Sequence, residues 1–286
     1  MSLRQYKSLD YPQNIEALMK YAIVPDELPD AEFTPAMVRT DIGDIFDLSA
    51  CEDVSGGYET ELSDGIRRIR PDGGALTYKY ELPEKACGKI LLLRFRVSEE
   101  TPQSSFSWER SGDVRVRING VKNTLTNPAW KYHNGNDLFE YVLSDLSDEL
   151  TIELTGRELT LSELTAYTLE PEYLDGLTEG MAAFKPDISR TGGDVICGRL
   201  SAAEDGFANT GFIWQEGFTV LADGEEVAPV KTDTAFLGFP IKAGEHEIEI
   251  RFTAPLLGLG KLISALGALL FLTAALFDIK NRIIRR

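Results

Sequence analysis

The stretch "AFLGFPIKAGEHEIEIRFTAP", residues 235–255, decides the fold, because it reads as a hairpin whose second strand alternates strictly. His246, Ile248, Ile250 and Phe252 lie on one face, and Glu245, Glu247, Glu249 and Arg251 lie on the other. A period of two residues predicts a half-buried β-strand. After Pro255 the chain enters one of the most apolar segments in the sequence, so a solvent-facing strand leads directly into a segment that water cannot solvate.

That apolar segment, residues 256–277 ("LLGLGKLISALGALLFLTAALF"), carries Lys261 as its single charge. At about 1.5 Å per residue, a helix from Lys261 to Lys280 is about 29 Å long, which matches a hydrocarbon core of about 30 Å. A helix in the core of a soluble protein would show a polar face, and this segment has none. The sequence therefore predicts a single transmembrane helix, with the lipid bilayer as a partner.

The distribution of charge predicts the orientation of that helix. The chain has 29 Lys and Arg against 46 Asp and Glu, for a net charge of −17, yet the last eight residues, "IKNRIIRR", are basic. The positive-inside rule puts this tail in the cytoplasm and the acidic body outside the cell membrane. The acidic balance also argues against nucleic-acid binding, which needs basic surfaces that displace counterions.

The N-terminus contains no apolar region of the kind found in signal peptides. Two explanations of the topology therefore stay open. The chain is the last portion of a larger multi-spanning protein, or it is tail-anchored with the body in the cytoplasm.

The body shows short alternating strands separated by turn residues about every ten positions, as in all-β sandwiches. Asn119-Gly120 in "DVRVRINGVKN" and Asp223-Gly224 in "FTVLADGEEV" are dipeptides typical of two-residue hairpin turns. We predict a mainly β fold with one or two β-sandwich, jelly-roll-like modules, followed by the single C-terminal membrane helix. The predicted domains are a helical and irregular segment at 1–50, a β-sandwich module at 51–170, a linker at 171–193, a second β-module at 194–255, the transmembrane helix at 256–277 and a basic cytoplasmic tail at 278–286.

The C-terminal part resembles the end of the YfhO family of bacterial multi-spanning membrane proteins. That family ends in an ordered pattern: a Gly-aromatic pair, an Asp-Gly hairpin, Phe-x-Gly, Gly-x-His, an alternating strand, Pro and a last membrane helix. The matching residues, for which we predict mainly structural roles, are Gly217, Phe218 (where the family usually has Trp), Asp223, Gly224, Phe236, Gly238, Gly244, His246 and Pro255.

The resemblance implies a bacterial cell-envelope protein of the glycosyltransferase type. Such enzymes use a polyprenyl-phosphate-linked sugar outside the cell, and the family is connected with decorating polymers such as lipoteichoic acid. The family's many N-terminal membrane helices, with the acidic residues that serve as base and metal ligands, have no counterpart in these 286 residues. We therefore assign no catalytic residue, cofactor or metal ligand to this chain, and we expect a role in positioning the acceptor, beside a multi-spanning partner.

Exposed aromatic side chains are the candidates for direct glycan contact, because sugar C–H faces stack on aromatic rings. Trp108, Trp130 and Tyr132 lie in or near loops and are the residues we select for this role. For His246, a hydrogen-bonded structural histidine is favoured over a catalytic one. The alternative function is a stand-alone, membrane-anchored carbohydrate-binding or structural module without catalysis.

Overall fold

The structure is a computed structural model that describes residues 1–28, 30–98, 113–127, 131–156, 158–179 and 183–284. It confirms a mainly β chain of several antiparallel sheets with one long C-terminal helix. The chain forms two compact units that are not collinear with the sequence. We call Asp10–Glu16 with Phe33–Thr178 the larger unit, and Met1–Leu9, Ala17–Glu32 and Glu179–Arg286 the C-terminal unit.

The helices are α1 (Leu3–Lys7), α2 (Gln13–Lys20), α3 (Pro171–Glu179) and α4 (Leu257–Ile284). The strands up to residue 169 are β1 (Val38–Arg39), β2 (Glu52–Ser55), β3 (Tyr58–Ser63), β4 (Ile66–Pro71), β5 (Ala75–Glu81), β6 (Ile90–Ser98), β7 (Val114–Ile118), β8 (Val121–Leu125), β9 (Leu138–Leu143), β10 (Glu149–Thr155) and β11 (Leu159–Leu169). Those that follow are β12 (Ala183–Pro186), β13 (Val195–Ala202), β14 (Gly206–Ile213), β15 (Phe218–Ala222), β16 (Glu225–Val227), β17 (Val230–Thr232), β18 (Phe236–Ile241) and β19 (Gly244–Phe252).

The larger unit is a sandwich of two antiparallel sheets. One sheet has the order β3-β4-β11-β6-β9 with β1 added beside β11, and the other has the order β2-β5-β10-β7-β8. One apolar cluster takes side chains from both sheets, so the sheets bury a common core. At its centre the Phe95 ring lies 4.9 Å from the Phe46 ring and is stacked 5.6 Å from the Tyr141 ring.

The C-terminal unit repeats the arrangement on a smaller scale. A five-stranded sheet, β12-β13-β19-β15-β16, and a three-stranded sheet, β14-β18-β17, contribute to one core that includes Val220, Phe239 and Ile250. The alternation predicted for residues 245–252 holds, because Ile248 and Ile250 are buried while Glu247 and Arg251 are exposed.

Part of the N-terminal segment belongs to the C-terminal unit. The Asp233 side chain accepts a hydrogen bond from the Ile23 backbone N–H at 2.8 Å, and the Asp233 N–H donates back to the Ile23 carbonyl oxygen at 2.8 Å. Val24 in turn forms a parallel bridge with Ser2. The interval 171–193, for which a linker was predicted, carries helix α3 and strand β12.

Both predicted hairpin turns are present. Asn119 and Gly120 have φ values of 46° and 85°, and Asp223 and Gly224 have φ values of 53° and 84°. Positive φ at both central residues is the signature of a type I′ turn, which Asn, Asp and Gly adopt at the lowest cost. These turns join β7 to β8 and β15 to β16.

Helix α4 carries the membrane segment. Among the described residues, Leu257–Asp278 is the one helical stretch long and apolar enough to span a bilayer, with a mean hydropathy of 1.9. Its large apolar side chains, such as Leu262 and Phe271, are exposed. An apolar helix without a protein covering fits a lipid environment, and this agrees with the span predicted at 256–277.

Candidate functional site

Most of the family-motif residues lie at two opposite ends of the C-terminal unit. Strands β15 and β19 run antiparallel, with Phe218 opposite Phe252 and Ala222 opposite Ile248. We call the end formed by Asp205, Asp223, Lys242 and His246 the polar end, and the end formed by Phe212, Ile213, Trp214, Phe218 and Phe252 the aromatic end. From His246 to Phe252 the strand covers about 20 Å, so the two ends are well separated.

At the polar end, His246 is held by two acceptors. Its Nδ1 lies 2.7 Å from Asp223 Oδ2, and its Nε2 lies 3.0 Å from the carbonyl oxygen of Lys242. Only a protonated imidazole can donate to both at once. The hydrogen bond to Asp223 is accordingly the main cause that raises the pKa of His246, and the same bond lowers the pKa of Asp223. These two hydrogen bonds fix the His246 ring in place, and its structural role stays a prediction.

A second carboxylate completes the polar end. Asp205 accepts hydrogen bonds from the Lys242 ammonium at 2.6 Å and from the Ala243 backbone N–H at 2.9 Å. The Lys242 hydrogen bond is the main cause that lowers the pKa of Asp205. Ion pairs and turn hydrogen bonds therefore occupy these groups, and they tie three loops together.

At the aromatic end, Gly217 is required by a close backbone approach. The Thr253 N–H donates to the Gly217 carbonyl oxygen at 2.9 Å. A Cβ atom at Gly217 would lie 2.2 Å from the Thr253 carbonyl oxygen, and the φ of Gly217 is +108°. A side chain cannot fit there, so Gly217 holds the start of β15 against the end of β19 just before the membrane helix.

Three rings form a row at this end. The Phe218 ring lies 5.0 Å from the Phe252 ring and 6.4 Å from the Phe212 ring. Trp214 is half-buried against the core of the C-terminal unit. Pro255 follows directly, and α4 begins at Leu257. The Gly-aromatic pair, the strand and the Pro of the motif thus meet where the β-structure passes into the span.

The remaining motif glycines allow strands to approach or turn. A Cβ at Gly238 would lie 2.4 Å from Thr232 Cγ2 and 2.8 Å from the Ala208 carbonyl oxygen, so only glycine fits between the neighbouring strands. Gly244 has a φ of +132° at the start of β19. Phe236 opens β18 opposite Ile213.

Of the predicted glycan contacts, Trp108 and Trp130 lie outside the described residues. Tyr132 is described and is 82% exposed, with the Lys131 ammonium 5.5 Å from its ring centroid. A free ring next to a cation is available for stacking against a ligand. Glycan contact by Trp108, Trp130 and Tyr132 stays a prediction.

The structure adds a cation-lined cleft in the larger unit that the sequence did not indicate. The cleft has a volume of about 270 Å³ and is lined by Ala36, Val38, Arg39, Thr40, Asp41, Lys85, Lys89, Thr168 and Glu170. Its residues come from β1, from the loop before β6 and from the end of β11. The chain segments are far apart in sequence and share no motif, so only the fold brings their charges together.

A metal site and a reactive thiol at Cys51 find little support in the described part of the chain. No group of three or more His, Cys, Asp and Glu side chains there could hold a metal ion. Burial raises the pKa of the Cys51 thiol to about 11, which leaves little of the reactive thiolate at neutral pH.

Comparison with solved structures gives only weak likenesses. A Paenibacillus xanthan lyase aligns at 11% identity over 71% of this chain and 24% of its own, with a TM-score of 0.26. A GH2 beta-galacturonidase from Eisenbergiella tayi aligns at 11% identity over 79% of this chain and 38% of its own, with a TM-score of 0.22. AerE from Microcystis aeruginosa aligns at 10% identity over 70% of this chain and 98% of its own, with a TM-score of 0.14. TM-scores this low support no argument about fold or function.

The chain thus spans about a quarter of the xanthan lyase and well under half of the galacturonidase. No curated protein matches the chain in sequence.

The comparison with protein families, unlike that with solved structures, gives a match over most of the chain. Residues 84–264 match the family described as "Bacterial membrane protein YfhO". The matched region runs from the larger unit through both ends of the C-terminal unit and into the first turns of helix α4. Because the match covers well over half of the 286 residues, the chain belongs to the YfhO family of bacterial membrane proteins.

Proposed function

We propose that this chain is the extracytoplasmic β-region and last span of a YfhO-type membrane glycosyltransferase system, in which it positions the acceptor. The sugar donor is polyprenyl-phosphate-linked, and the acceptor is a cell-envelope polymer such as lipoteichoic acid. The catalytic helices belong to a multi-spanning portion or partner. Family membership, the C-terminal span and the basic tail after it support this proposal.

The observation that carries the proposal is the cation-lined cleft. Arg39, Lys85 and Lys89 converge there, although the chain as a whole has a net charge of −17. Lys89 is paired with Glu170 at 2.7 Å, whereas Arg39 and Lys85 form no ion pair within the described residues. Unpaired cations on an acidic surface attract anionic groups, and a guanidinium fork suits phosphate geometry.

Two hydroxyls lie at the floor of the cleft. Those of Thr40 and Thr168 lie 2.7 Å apart, and the Thr40 hydroxyl donates to the Val38 carbonyl oxygen at 3.0 Å, so both hydroxyl protons are used within the protein. A phosphodiester in the cleft would therefore be held by the exposed Arg39 and Lys85 cations at the rim. An anionic acceptor such as a glycerol-phosphate polymer therefore matches the cleft better than a neutral glycan does.

The test is binding of a glycerol-phosphate polymer to the detergent-solubilised full chain. The double variant Arg39→Gln/Lys85→Gln should bind about tenfold more weakly or worse, because two charge-assisted contacts are lost. Lys122→Gln/Lys231→Gln removes the same charge at exposed positions outside the cleft and should bind like the unmodified chain. Equal affinity for all three proteins would refute acceptor binding in this cleft.

The orientation is tested separately. Protease added to intact cells should digest the body and leave the basic tail intact, because the tail is expected in the cytoplasm. Protection of the body would place it in the cytoplasm and would exclude an extracytoplasmic transferase role.

One observation favours the stand-alone carbohydrate-binding module as a second candidate. Tyr132 is 82% exposed, which suits stacking on a neutral sugar. In that case Tyr132→Ala should abolish binding of a neutral envelope glycan, while Arg39→Gln/Lys85→Gln should leave it unchanged. Loss of glycerol-phosphate polymer binding in Arg39→Gln/Lys85→Gln, with no effect of Tyr132→Ala on either ligand, would support the acceptor-positioning role instead.

A further inference from the structure

We propose that the aromatic end of the C-terminal unit is a lipid-contact surface that rests in the headgroup region of the bilayer, on the side where helix α4 begins. The partner is the membrane itself. The inference goes beyond the proposed function, because it requires neither a glycosyltransferase nor a particular orientation of the span.

The aromatic end lies close to the membrane helix along the chain. Only residues 253–256 separate the end of β19 at Phe252 from the start of α4 at Leu257. The five Cα–Cα steps from Phe252 to Leu257 cover at most about 18 Å, so Phe252 cannot lie far from the start of the membrane helix. The Gly217–Thr253 hydrogen bond fixes β15 at the same level, and Phe218 lies directly opposite Phe252.

Apolar side chains are exposed at this level. Phe212 is 38% exposed and its neighbour Ile213 is 73% exposed, at the end of a strand whose pairing with β18 is irregular between Asn209 and Ile213. The Phe212 ring stacks on Phe218, which places the exposed pair beside the ring row. Trp favours the interface because its ring has an apolar body and a polar N–H, and apolar Phe side chains bury at the boundary between headgroups and acyl chains when they lie on a membrane-facing surface.

The face of β19 that carries His246 and Phe252 changes character along its length. The polar end, about 20 Å away along β19, is built from Asp205, Asp223, Lys242 and His246. On this face the apolar rings lie beside the span and the His246–Asp223 pair lies away from it, whereas Glu249 and Arg251 pair on the opposite face. This gradient follows the change from lipid to water that the unit meets with increasing distance from the bilayer.

The experiment uses the full chain reconstituted in phosphatidylcholine–phosphatidylglycerol vesicles, with nitroxide labels in a Cys51→Ser/Cys87→Ser/Cys197→Ala background. Ile213→Cys reports on the aromatic end. Glu225→Cys, at the far end of the hairpin after β15, is the matched control. Collision rates are measured with oxygen, which concentrates in lipid, and with a water-soluble nickel chelate.

At position 213 we expect oxygen accessibility to exceed nickel accessibility several-fold, and at position 225 we expect the reverse. Equal access of the nickel chelate at both positions would overturn the inference. Protection of position 213 from both relaxants would also overturn it, because a protein surface would then cover the aromatic end.

A second measurement keeps the native cysteines. In the Trp108→Phe/Trp130→Phe variant, Trp214 is the single remaining tryptophan. Lipids brominated near the headgroup should reduce its fluorescence relative to unbrominated lipids, because Trp214 lies at the aromatic end. Unchanged fluorescence would contradict a lipid contact, even if the cysteine-free chain failed to fold.

Discussion

The two β units share one architecture but differ in how much core they bury. Within the described residues, the apolar cluster of the larger unit contains 26 buried side chains, whereas that of the C-terminal unit contains eight. A small core contributes less hydrophobic free energy against the same entropy cost per residue. The C-terminal unit therefore depends more on backbone fit, turn hydrogen bonds and its attachments than on core volume.

The largest expected effect on stability comes from a substitution that removes core volume from the larger unit. Phe95 is fully buried between Phe46 and Tyr141. Phe95→Ala should lower the free energy of unfolding of this unit by about 3–5 kcal/mol through lost burial and a residual cavity. Hydrogen exchange should accelerate in β6 and β9 and stay unchanged in β13 and β19. Equal acceleration in both units would show that they unfold together and do not differ in the stability of their own cores.

The second-largest expected effect is a loss of stability in the C-terminal unit when a single methyl group is added at Gly217. Gly217→Ala forces a Cβ against the Thr253 carbonyl oxygen at a backbone angle that favours glycine. We expect a loss of about 2–4 kcal/mol, measured as faster hydrogen exchange in β15 and β19. Gly211→Ala is the control, because a Cβ there has no neighbour within 4 Å. Similar losses for the two variants would contradict the close-approach explanation.

A smaller effect tests the attachment of the N-terminal segment. Asp233→Ala removes the acceptor of both the Ile23 N–H and the Asn209 side-chain amide and should destabilise the C-terminal unit by about 1–2 kcal/mol. The Ile23 amide should exchange faster than in the unmodified chain. Asp233→Asn keeps an acceptor oxygen and tolerates the φ of 47°, so it should retain most of the protection. If alanine and asparagine behave alike, the side-chain hydrogen bond does not hold the segment.

The smallest effect is a pH dependence at the polar end. His246 has a raised pKa, so its contribution to stability is complete below its unfolded value near 6.5 and is lost as the pH rises through the folded value. Asp223 has a lowered pKa, so its contribution is complete above the unfolded value of 3.8 and is lost as the pH falls through the folded value. The pair therefore stabilises the turn most between those two unfolded values.

The measurement is the thermal unfolding midpoint of the C-terminal unit between pH 4 and 9, monitored by hydrogen exchange of the β19 amides. The midpoint should fall above the folded pKa of His246 in the unmodified chain and should lose this step in His246→Gln. An identical step in the variant would assign the titration to another group.

The sequence predicted those features that depend on local pattern. The Asn119-Gly120 and Asp223-Gly224 turns follow from backbone preference, and the span follows from length and hydropathy. For His246 the alternation predicted the correct face, but its partner Asp223 was assigned only to the turn. A side-chain pair 23 residues apart leaves no periodic signal.

Long-range contacts were beyond the reach of the sequence pattern. Ile23 and Asp233 are 210 residues apart, so nothing local indicates that the N-terminal segment joins the C-terminal unit. The cation-lined cleft combines Arg39, Lys85 and Lys89, each of which looks like an ordinary surface charge in the sequence. These features arise from strand pairing between distant segments.

The short connection between β19 and α4 has a mechanical consequence. The 22-residue span is about 33 Å long, slightly more than a typical hydrocarbon core, so the helix tilts more in a thin bilayer than in a thick one. Only Ala254, Pro255 and Leu256 lie between Thr253, which is hydrogen-bonded to Gly217, and the start of the helix, so little chain is available to absorb that rotation. A change in bilayer thickness should therefore rotate the sheet together with the helix. The angle between the C-terminal unit and the membrane plane should vary with lipid chain length.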